Sequence, residues 1–418
     1  MEHVRAIAQR PHPVGSADHD RVRDYLRAGF GKLGVEAAAL ETGVGSYHGD
    51  RSRVENIVAR LPGTANTRAV MLAAHYDSVR RAPGAGDDGH AVAALLETLR
   101  ALRAGSPLRN DVIFLITDGE ELGMLGAELF SREHPWRRDP GVVLNFEARG
   151  TSGPSTMFET SLGNAWLIAN LRAAVPEANA TSFAFEVYRR MPNDTDLSVF
   201  KHAGLAGMNF AFIEHPEWYH SAHDDPEHLD QRSLQEQGRY ALALTRQFGG
   251  QDYLLQPPAG NAVYFPTLLT SLIVYPGSWV KPLAWGTAAA LLVAAWAGSR
   301  RRARGMWIAA PLAIPLILQL VVAGEAPGVT YLFEWPLLGG VIAYAVLMTA
   351  PAAVAFNWRL ALLLIVPAPA FLLVAAMLHT LLVALGSDAI PIVAAAWVLI
   401  AICILPQLAL VLRRSPQA

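Results

Sequence analysis

The fold of this chain is decided by residues 69–117, which read AVMLAAHYDSVRRAPGAGDDGHAVAALLETLRALRAGSPLRNDVIFLIT. The runs over 69–74 and 111–117 are short and mostly apolar, which predicts two buried strands. Between them, apolar residues recur three and four positions apart over 88–104, which predicts an amphipathic helix. A strand, a helix and a second strand in this order form a βαβ unit, so we expect the two strands to be parallel.

The same alternation continues on both sides of this unit. Upstream, the pattern predicts an amphipathic helix over 17–34 and a strand over 54–61. Downstream, it predicts helices over 122–133, 164–175, 196–202 and 233–248, and strands over 141–146 and 205–213. Apolar runs without a polar face are typical of strands that are covered on both sides. We therefore predict an α/β fold with a mostly parallel mixed sheet flanked by helices.

The composition changes sharply near residue 255 of the 418-residue chain. Twelve of the thirteen histidines and most of the charged side chains come before this point, and the sequence after about residue 262 is mostly Ala, Leu, Val, Ile, Pro and Trp. The mean hydropathy of +0.25 therefore averages two unlike halves. We predict a soluble domain over 1–255, a junctional or interfacial segment over 256–282 and an all-α transmembrane domain over 283–412.

Charge and cysteine content exclude two kinds of protein. The net charge is -2 and no basic patch is interleaved with aromatic residues, so the sequence does not indicate nucleic-acid binding. Cys403 is the only cysteine, so no disulfide framework can form within one chain. The sequence gives no signal of oligomeric state.

The C-terminal half contains five long apolar runs, near 283–298, 305–323, 329–355, 359–385 and 389–412. All but the first approach or exceed the ~20 residues that a helix needs to cross a lipid bilayer. In a bundle of five helices, the arginines at 300–304, 359 and 413–414 all fall on one side, which the positive-inside rule makes cytoplasmic. We therefore predict a multi-pass membrane protein with its soluble domain on the non-cytoplasmic side, in a periplasm, outside the cell or in a lumen.

Two segments bear on this orientation. Residues 262–279 are apolar enough to cross a membrane but contain two prolines, and we interpret them as interfacial. A crossing there would instead place the domain in the cytoplasm. The first residues, MEHVRAIAQRPHPVGS, are polar and do not form a secretory signal. Because translocation needs such a signal, we expect the natural protein to have an N-terminal membrane anchor that precedes this chain.

Candidate metal ligands occur where the predicted strands end. His75 ends the run over 69–74, and Asp87 follows twelve residues later, after a loop rich in Gly and Pro that lets both side chains reach one ion. Asp77 is well placed to accept the second ring N–H of His75, a usual arrangement around metal-binding histidines. A lone histidine is more often structural, so His75 indicates a metal only in combination with other ligands.

Glu120 and Glu121 come just after the buried run over 111–117. Two adjacent carboxylates at such a place are costly unless a cation is close. One of them can bind a metal while its neighbour takes a proton from a water molecule. The structural alternative is a solvated helix N-terminus, where acidic side chains are favoured by the helix dipole.

Two further candidates follow the later strands. Glu147 comes directly after the strand predicted over 141–146, and His220 lies in EWYHSAHDD, after the strand predicted over 205–213. Taken singly, each of them is ambiguous. Three other histidines in the same region could replace His220 as a ligand: His215, His223 and His228.

The combination of these motifs resembles a known family. HYDSV, GAGDDG, DGEELGMLGAELF, NFEARG and YHSAHDDPEHLD occur in the order and at the intervals of the co-catalytic two-zinc aminopeptidases, metallopeptidase family 28, over about residues 5–250. Together with the apolar C-terminal half, the chain is most similar to the endoplasmic-reticulum and vacuolar membrane-protease branch. RPHPVGS and NDTDLSVF also resemble that branch. The resemblance implies a zinc exopeptidase-like fold and a peptide substrate.

The resemblance also implies a ligand set for two Zn²⁺ ions. Asp87 would bridge the ions, His75 and Glu147 would complete one site, and Glu121 and His220 would complete the other. Many soluble members of the family have Asp at the position of Glu147, and the extra methylene moves the carboxylate. An alternative role for Glu147 is therefore contact with the amine of a substrate. His220 fits the family's Tyr-His-Thr pattern because an aromatic residue precedes it and Ser follows it.

Four more residues receive roles from the resemblance. Glu120 would be the general base and then the proton donor to the leaving amine, and Tyr219 would donate a hydrogen bond to the developing oxyanion. Asp77 and Asp88 would support the ligands. The peptide bond between Asp87 and Asp88 would be cis.

We therefore expect a membrane-anchored zinc-dependent exopeptidase, most directly an aminopeptidase that removes N-terminal residues from peptides. The alternatives on the same scaffold are a glutaminyl cyclase with a single zinc, a carboxypeptidase and a dipeptidase. A non-catalytic subunit of a membrane complex and a transporter with an accessory soluble domain are the alternatives of other classes. The complete ligand set argues against a non-catalytic protein, and the scarcity of charged residues within the predicted spans argues against a transporter.

Overall fold

The computed structural model describes residues 1–35, 39–47, 49–252, 260–266, 272–283, 285–286 and 289. The chain divides into two compact units, Met1–Val274 and Tyr275–Ala418. The transmembrane helices predicted over 283–412 lie almost entirely outside the described residues. Among the residues that are described, no helix is both long and apolar enough to cross a membrane.

Helices and strands alternate along most of the first unit. The helices are α1 (Glu2–Ile7), α2 (Ala17–Lys32), α3 (His90–Arg103), α4 (Leu125–Glu133), α5 (Ala165–Ala174), α6 (Ser182–Tyr188), α7 (Asp196–His202) and α8 (Gln231–Gly249). The strands are β1 (Ala39–Tyr47), β2 (Asp50–Leu61), β3 (Ala69–His75), β4 (Val112–Thr117), β5 (Pro140–Ala148), β6 (Thr156–Thr160), β7 (Asn179–Ala180), β8 (Gly207–Phe212), β9 (Ala262–Pro266) and β10 (Leu272–Pro276). A single π-type turn, Ala85–Gly89, leads from the loop after β3 into α3.

The main sheet has the strand order β1-β2-β4-β3-β5-β8-β6-β7. Its centre is parallel, because β3 pairs in parallel with β4 and β5, and β5 pairs in parallel with β8. Antiparallel pairs extend the sheet on both sides, from β4 to β2 and β1 and from β8 to β6. The predicted mixed α/β sheet flanked by helices is therefore confirmed. The parallel centre brings the carboxyl ends of four strands to one edge.

Helices cover both faces of this sheet, as the apolar strands predict. Even-numbered residues of β3 and β4, such as Leu72 and Phe114, belong to a buried cluster with α2, α3 and α8. Odd-numbered residues such as Met71 belong to a second cluster with α4 and α7, in which Phe130 and Phe200 meet edge to face. Each fully buried large apolar side chain contributes about 1.5–3 kcal/mol, so the two layers hold the central strands rigidly in place.

The segment predicted to be junctional contains two strands, β9 and β10, which form a separate two-stranded sheet. In β9 the N–H of Ala262 donates to Asn164 Oδ1 (2.8 Å), and the N–H of Tyr264 donates to Ser182 Oγ (2.9 Å). The described part of 262–279 thus forms strands and a 3₁₀ turn (Gly277–Trp279) rather than a helix. The first compact unit extends to Val274, beyond the predicted domain end at 255.

Some elements of the fold have no counterpart in the sequence prediction. These elements are α1, β1, β6, β7 and α6. They are short, or they lie toward the edges of the sheet, where an apolar pattern is weak. Glycines interrupt β1, for example, and Gly45 lets this strand approach α4, because a Cβ there would lie 2.3 Å from the carbonyl oxygen of Leu125.

Candidate metal centre

The candidate ligands collect at the carboxyl edge of the four central strands. His75 is the last residue of β3, and Glu120 and Glu121 lie in the turn that follows β4. Glu147 is the penultimate residue of β5, and His220 lies in the loop after β8. Apart from the adjacent pair Glu120 and Glu121, these residues are far apart along the chain, but the parallel order of the strands places all of them at one edge, where sites of open α/β sheets assemble.

Asp87 is the residue that joins them. Its Oδ1 lies 3.1 Å from His75 Nε2, and its Oδ2 lies 2.9 Å from His220 Nε2. Glu147 Oε2 lies 3.7 Å from the same nitrogen of His75, and Glu121 Oε1 lies 3.1 Å from the same nitrogen of His220. Each oxygen of the aspartate therefore faces its own pair of one histidine and one glutamate. This is the grouping that the family resemblance implies.

The candidate ligands form two sets of three, and within each set the ligand atoms lie within 4.8 Å of one another. One set is Asp87, Glu121 and His220, and the other is His75, Asp88 and Glu147. Asp88 thus lies closer to the candidate ligands than a purely supporting role requires. Its Oδ2 accepts a hydrogen bond from the backbone N–H of His75 (3.2 Å), and the peptide bond between Asp87 and Asp88 is cis, as expected.

The electrostatics of the centre suit bound cations. Burial raises the pKa of Glu120 and of Glu147 well above the ordinary value, and neighbouring carboxylates raise both further. Burial also raises the pKa of Glu121 to about 7, with the charge of Asp87 adding to the shift. Among the described residues, Asp88 Oδ1 is a buried oxygen without a hydrogen-bond donor, and the buried Glu121 Oε1 faces the ring Nε2 of His220 at 3.1 Å. Divalent cations would satisfy these oxygens and compensate the charge, so the residues fit a metal centre.

Asp77 lies beside the second ring nitrogen of His75 and also bonds the turn after β4. His75 Nδ1 lies 3.0 Å from the carbonyl oxygen of Asp77 and 3.5 Å from its carboxylate Oδ1, so the carbonyl is the closer acceptor. The carboxylate instead accepts the backbone N–H groups of Glu120 (3.0 Å) and Glu121 (3.3 Å). One residue therefore orients the histidine and also holds the turn that carries both glutamates.

Asp224 is a supporting residue that the sequence analysis missed. It is buried, and its two carboxylate oxygens accept the backbone N–H groups of Gly86 (2.5 Å) and Asp87 (3.2 Å). Gly86 must be glycine here, because a Cβ would lie 2.5 Å from the carbonyl oxygen of Gly150. The signal in the sequence is the acidic pair in HSAHDD, four and five residues beyond His220 along the chain.

Of the four histidines in the region after β8, one lies at the centre and three lie around Trp218. Only His220 joins the centre, where it stacks against Tyr219 with ring centroids 3.7 Å apart. Burial raises the pKa of Tyr219, and the charges of Asp87 and Glu120 raise it further, so the phenol stays protonated at neutral pH. The other three rings contact Trp218, with centroid distances of 4.3, 6.1 and 4.8 Å, for His215, His223 and His228.

The N-terminal segment is hydrogen-bonded to both loops that carry candidate ligands. His19 Nε2 in α2 lies 2.8 Å from Asp118 Oδ1, and Asp118 is two residues before Glu120. His12 and Ser78 are joined by two hydrogen bonds, from the N–H of His12 to Ser78 Oγ (2.8 Å) and from the N–H of Ser78 to the His12 carbonyl (3.4 Å). Both loops that carry ligands, after β3 and after β4, are therefore tied to the first residues of the chain.

The fold and the ligand set together describe an α/β protein with a buried centre of histidines and carboxylates that fits metal ions. Residues 56–245 match the sequence profile of peptidase family M28. This match confirms the family resemblance that the motifs carry.

The curated relatives are peptidases by name, of the endoplasmic reticulum and of the vacuolar membrane. The endoplasmic reticulum metallopeptidase 1 of Homo sapiens is 32% identical over 300 residues, which cover 66% of this chain and 33% of the relative. A vacuolar membrane protease of Candida albicans is 34% identical over 240 residues, covering 55% of this chain and 28% of the relative. The chain thus spans about a third of the length of these relatives. Among solved structures, a glutaminyl cyclase of an Acidobacteriales bacterium superposes with a TM-score of 0.49 and 20% identity, over 59% of this chain and 91% of that chain.

Proposed function

We propose that this protein is a membrane-anchored aminopeptidase that uses two Zn²⁺ ions to remove N-terminal residues from peptides. The observation that supports this function best is the position of Asp87, whose two carboxylate oxygens face two different histidines at 3.1 and 2.9 Å. A carboxylate placed in this way is suited to bridge two ions. A glutaminyl cyclase or another enzyme with one zinc would need only one of the two groups of ligands.

The ligands proposed for the ions follow these groups. His75 and Glu147 would hold one ion, Glu121 and His220 would hold the other, and Asp87 would be shared. When bound, the zinc ions act as Lewis acids on the scissile carbonyl and lower the pKa of a coordinated water from ~16 toward about 7. Asp88, beside the first group, is proposed to support His75 through its backbone N–H.

Glu120 is proposed to be the general base. It is partly buried beside both groups of ligands, and Asp77 holds its backbone N–H. Burial and the neighbouring carboxylates raise its pKa in the metal-free centre, and bound cations would lower this pKa again and leave Glu120 ionised, as a general base must be. Glu120 would take the proton from the attacking water and then deliver it to the leaving amine.

Tyr219 is proposed to stabilise the oxyanion that forms when the carbonyl is attacked. Its ring lies against His220, and its phenol keeps its proton because burial and nearby carboxylates raise its pKa. A protonated phenol is a hydrogen-bond donor that can strengthen its bond as negative charge develops. Removing one such donor typically costs about 2.7–4 kcal/mol of transition-state stabilisation.

Metal analysis combined with a panel of peptides tests this function. We expect two zinc ions per chain, and hydrolysis of peptides with a free N-terminus but not of the same peptides with an acetylated N-terminus. Cleavage of acetylated peptides would contradict the aminopeptidase assignment and favour a carboxypeptidase or an endopeptidase. A single tight ion together with cyclisation of N-terminal glutamine would favour the glutaminyl cyclase alternative.

The role of Glu120 has its own test. Glu120→Gln keeps the shape of the side chain but removes the base, so we expect normal zinc content and a loss of kcat of about two orders of magnitude or more. The matched control is Glu97→Gln on α3, whose side chain is half exposed and lies outside the centre. A Glu120→Gln variant with undiminished kcat would contradict the proposed role.

We also propose that residues 283–412 anchor the protein in a membrane and that the peptidase domain lies on the non-cytoplasmic side. The support for this proposal is the apolar composition of this half and the arginine pattern. Sealed vesicles containing the full protein test it, because protease added to the cytoplasmic face should leave the domain intact. Cleavage of the domain before detergent is added would contradict this orientation.

A further inference from the structure

A row of buried polar side chains runs from Glu147 across three strands to the protein surface. Asn145 Nδ2 donates to Glu147 Oε1 (3.0 Å) and to Asn209 Oδ1 (3.1 Å). Asn209 Nδ2 donates to Glu159 Oε2 (3.1 Å), and the other oxygen of Glu159 is bonded to the ammonium group of Lys201. We call these four residues the relay: Asn145, Asn209, Glu159 and Lys201.

The register of the sheet builds this row. Asn145 of β5 is the direct cross-strand partner of Asn209 of β8, and Asn209 is in turn the partner of Glu159 of β6. Asn145 and Glu147 are two residues apart on one strand, so their side chains lie on the same face of the sheet. Asn145 and Asn209 are completely buried, and Glu159 is 3% exposed. Side chains confined in this way have few alternative partners.

The direction of every hydrogen bond in the relay is fixed from its outer end. An ammonium group can only donate, and an ionised carboxylate can only accept. Glu159 therefore needs a donor from Asn209, which must present its Nδ2 to Glu159 and its Oδ1 to Asn145. Asn145 must therefore donate from its own Nδ2, and the same Nδ2 also donates to Glu147 Oε1. A charge pair near the surface thus dictates which atom of a buried amide faces the metal centre.

We propose that the relay is a positioning device for Glu147, which keeps Oε1 occupied as an acceptor and leaves Oε2 to face the metal ligands. Oε2 is the oxygen that lies 3.7 Å from His75 Nε2. The longer side chain of glutamate allows one oxygen to bond back to Asn145 while the other reaches the centre. This inference rests on the proposed two-ion function, and it assigns to Asn145, Asn209, Glu159 and Lys201 a role in the affinity of one ion only.

Titration of the metal-free protein with zinc, in competition with a chromophoric chelator, tests the relay. Asn145→Leu removes the donor at similar volume, and we expect the affinity for one ion to fall about 10- to 100-fold, the usual effect of losing a group that orients a ligand, while the affinity for the second ion stays near the wild-type value. The matched control is Asn170→Leu, which removes another buried asparagine that bonds Trp166 outside the relay. This control should bind both ions as the wild type does.

Lys201→Met extends the test to the outer end of the relay, where the lysine side chain is 27% exposed. We expect the affinity for the same ion to fall by a smaller factor, because Glu159 then no longer has a fixed charge partner. Unchanged affinity for both ions in Asn145→Leu and Lys201→Met would overturn the relay and leave the proposed function intact. A wild-type chain that binds fewer than two ions would instead overturn the two-ion function and the relay with it.

Discussion

At the scale of single residues, the candidate centre contains carboxyl groups whose pKa values are shifted in opposite directions. Burial by itself would raise the pKa of Asp87, but hydrogen bonds from His220 and His75 outweigh it and hold this pKa well below the ordinary value. Burial raises the pKa of the neighbouring Glu121 to about 7. The shared aspartate is therefore ionised at all physiological pH values, whereas the glutamates around it bind protons in the absence of a cation.

This distribution of charge predicts the pH dependence of the metal-free protein. Although burial lowers it, hydrogen bonds to Asp87 and Glu121 raise the pKa of His220 from 6.5 to about 10. The folded protein then holds a proton that the unfolded chain releases near pH 6.5, so the free energy of unfolding decreases as pH rises above 7. The raised pKa of Glu120 acts in the same direction, because the folded state again binds the additional proton.

Urea unfolding in the presence of a chelator at pH 7, 8 and 9 measures this effect. We expect stability to decrease steadily across the series. With zinc bound the decrease should be smaller, because cations replace the protons and bind better as pH rises. Stability of the metal-free protein that increases from pH 7 to 9 would contradict the charge arrangement described for the centre.

At the scale of secondary-structure elements, α2 is a brace for the turn that carries the proposed base. Ser16 caps this helix by accepting the N–H of His19 (3.1 Å), and the His19 ring stacks on Tyr76 while it bonds Asp118. The second oxygen of Asp118 accepts the N–H of Glu55 in β2 (2.8 Å). A helix, a strand and the turn after β4 are therefore joined through one buried carboxylate.

His19→Leu tests this brace. The substitution leaves the Asp118 carboxylate buried without its ring partner, so we expect a loss of about 3–5 kcal/mol in the free energy of unfolding, measured with urea. The control on the same helix is Asp20→Ala, whose side chain is 59% exposed and whose ion pair should contribute about 0–1 kcal/mol. Equal effects of the two substitutions would show that the contact between His19 and Asp118 does not anchor the helix.

The elements also show what sequence reasoning can reach. The central strands and α3 were predictable because their apolar period is strong and local, and their ends located the candidate ligands. The bonds from the Asp77 carboxylate to the turn after β4 were not predictable, because they depend on that turn folding back over a residue 43 positions earlier. The position of His90 at the start of an amphipathic helix predicts an exposed side chain. The ring is instead fully buried against Phe212, because the turn before α3 directs it inward.

At the scale of the whole molecule, the domain is built around one edge of one sheet. The strands that carry the ligands are also the ones covered on both faces, so the most rigid part of the unit holds the candidate centre. The family profile begins at residue 56, but the first thirty-five residues complete the core and brace both ligand loops. The helix of this segment was predictable, but its bonds to the ligand loops were not, since they are long-range contacts of single polar side chains.

The spread of the proposed ligands along the chain, from His75 to His220, has a consequence for biosynthesis. A nascent polypeptide leaves the ribosome from its N-terminus, so its last ligand emerges only after most of the domain has been made. The ion proposed for Glu121 and His220 would then be acquired late, by a sheet that is already complete, and could not serve as a template for early folding. Chains ending at residue 214 should therefore retain at most one zinc ion on gel filtration, whereas chains ending at residue 276 should retain two, and retention of two ions by the shorter chain would contradict this order of events.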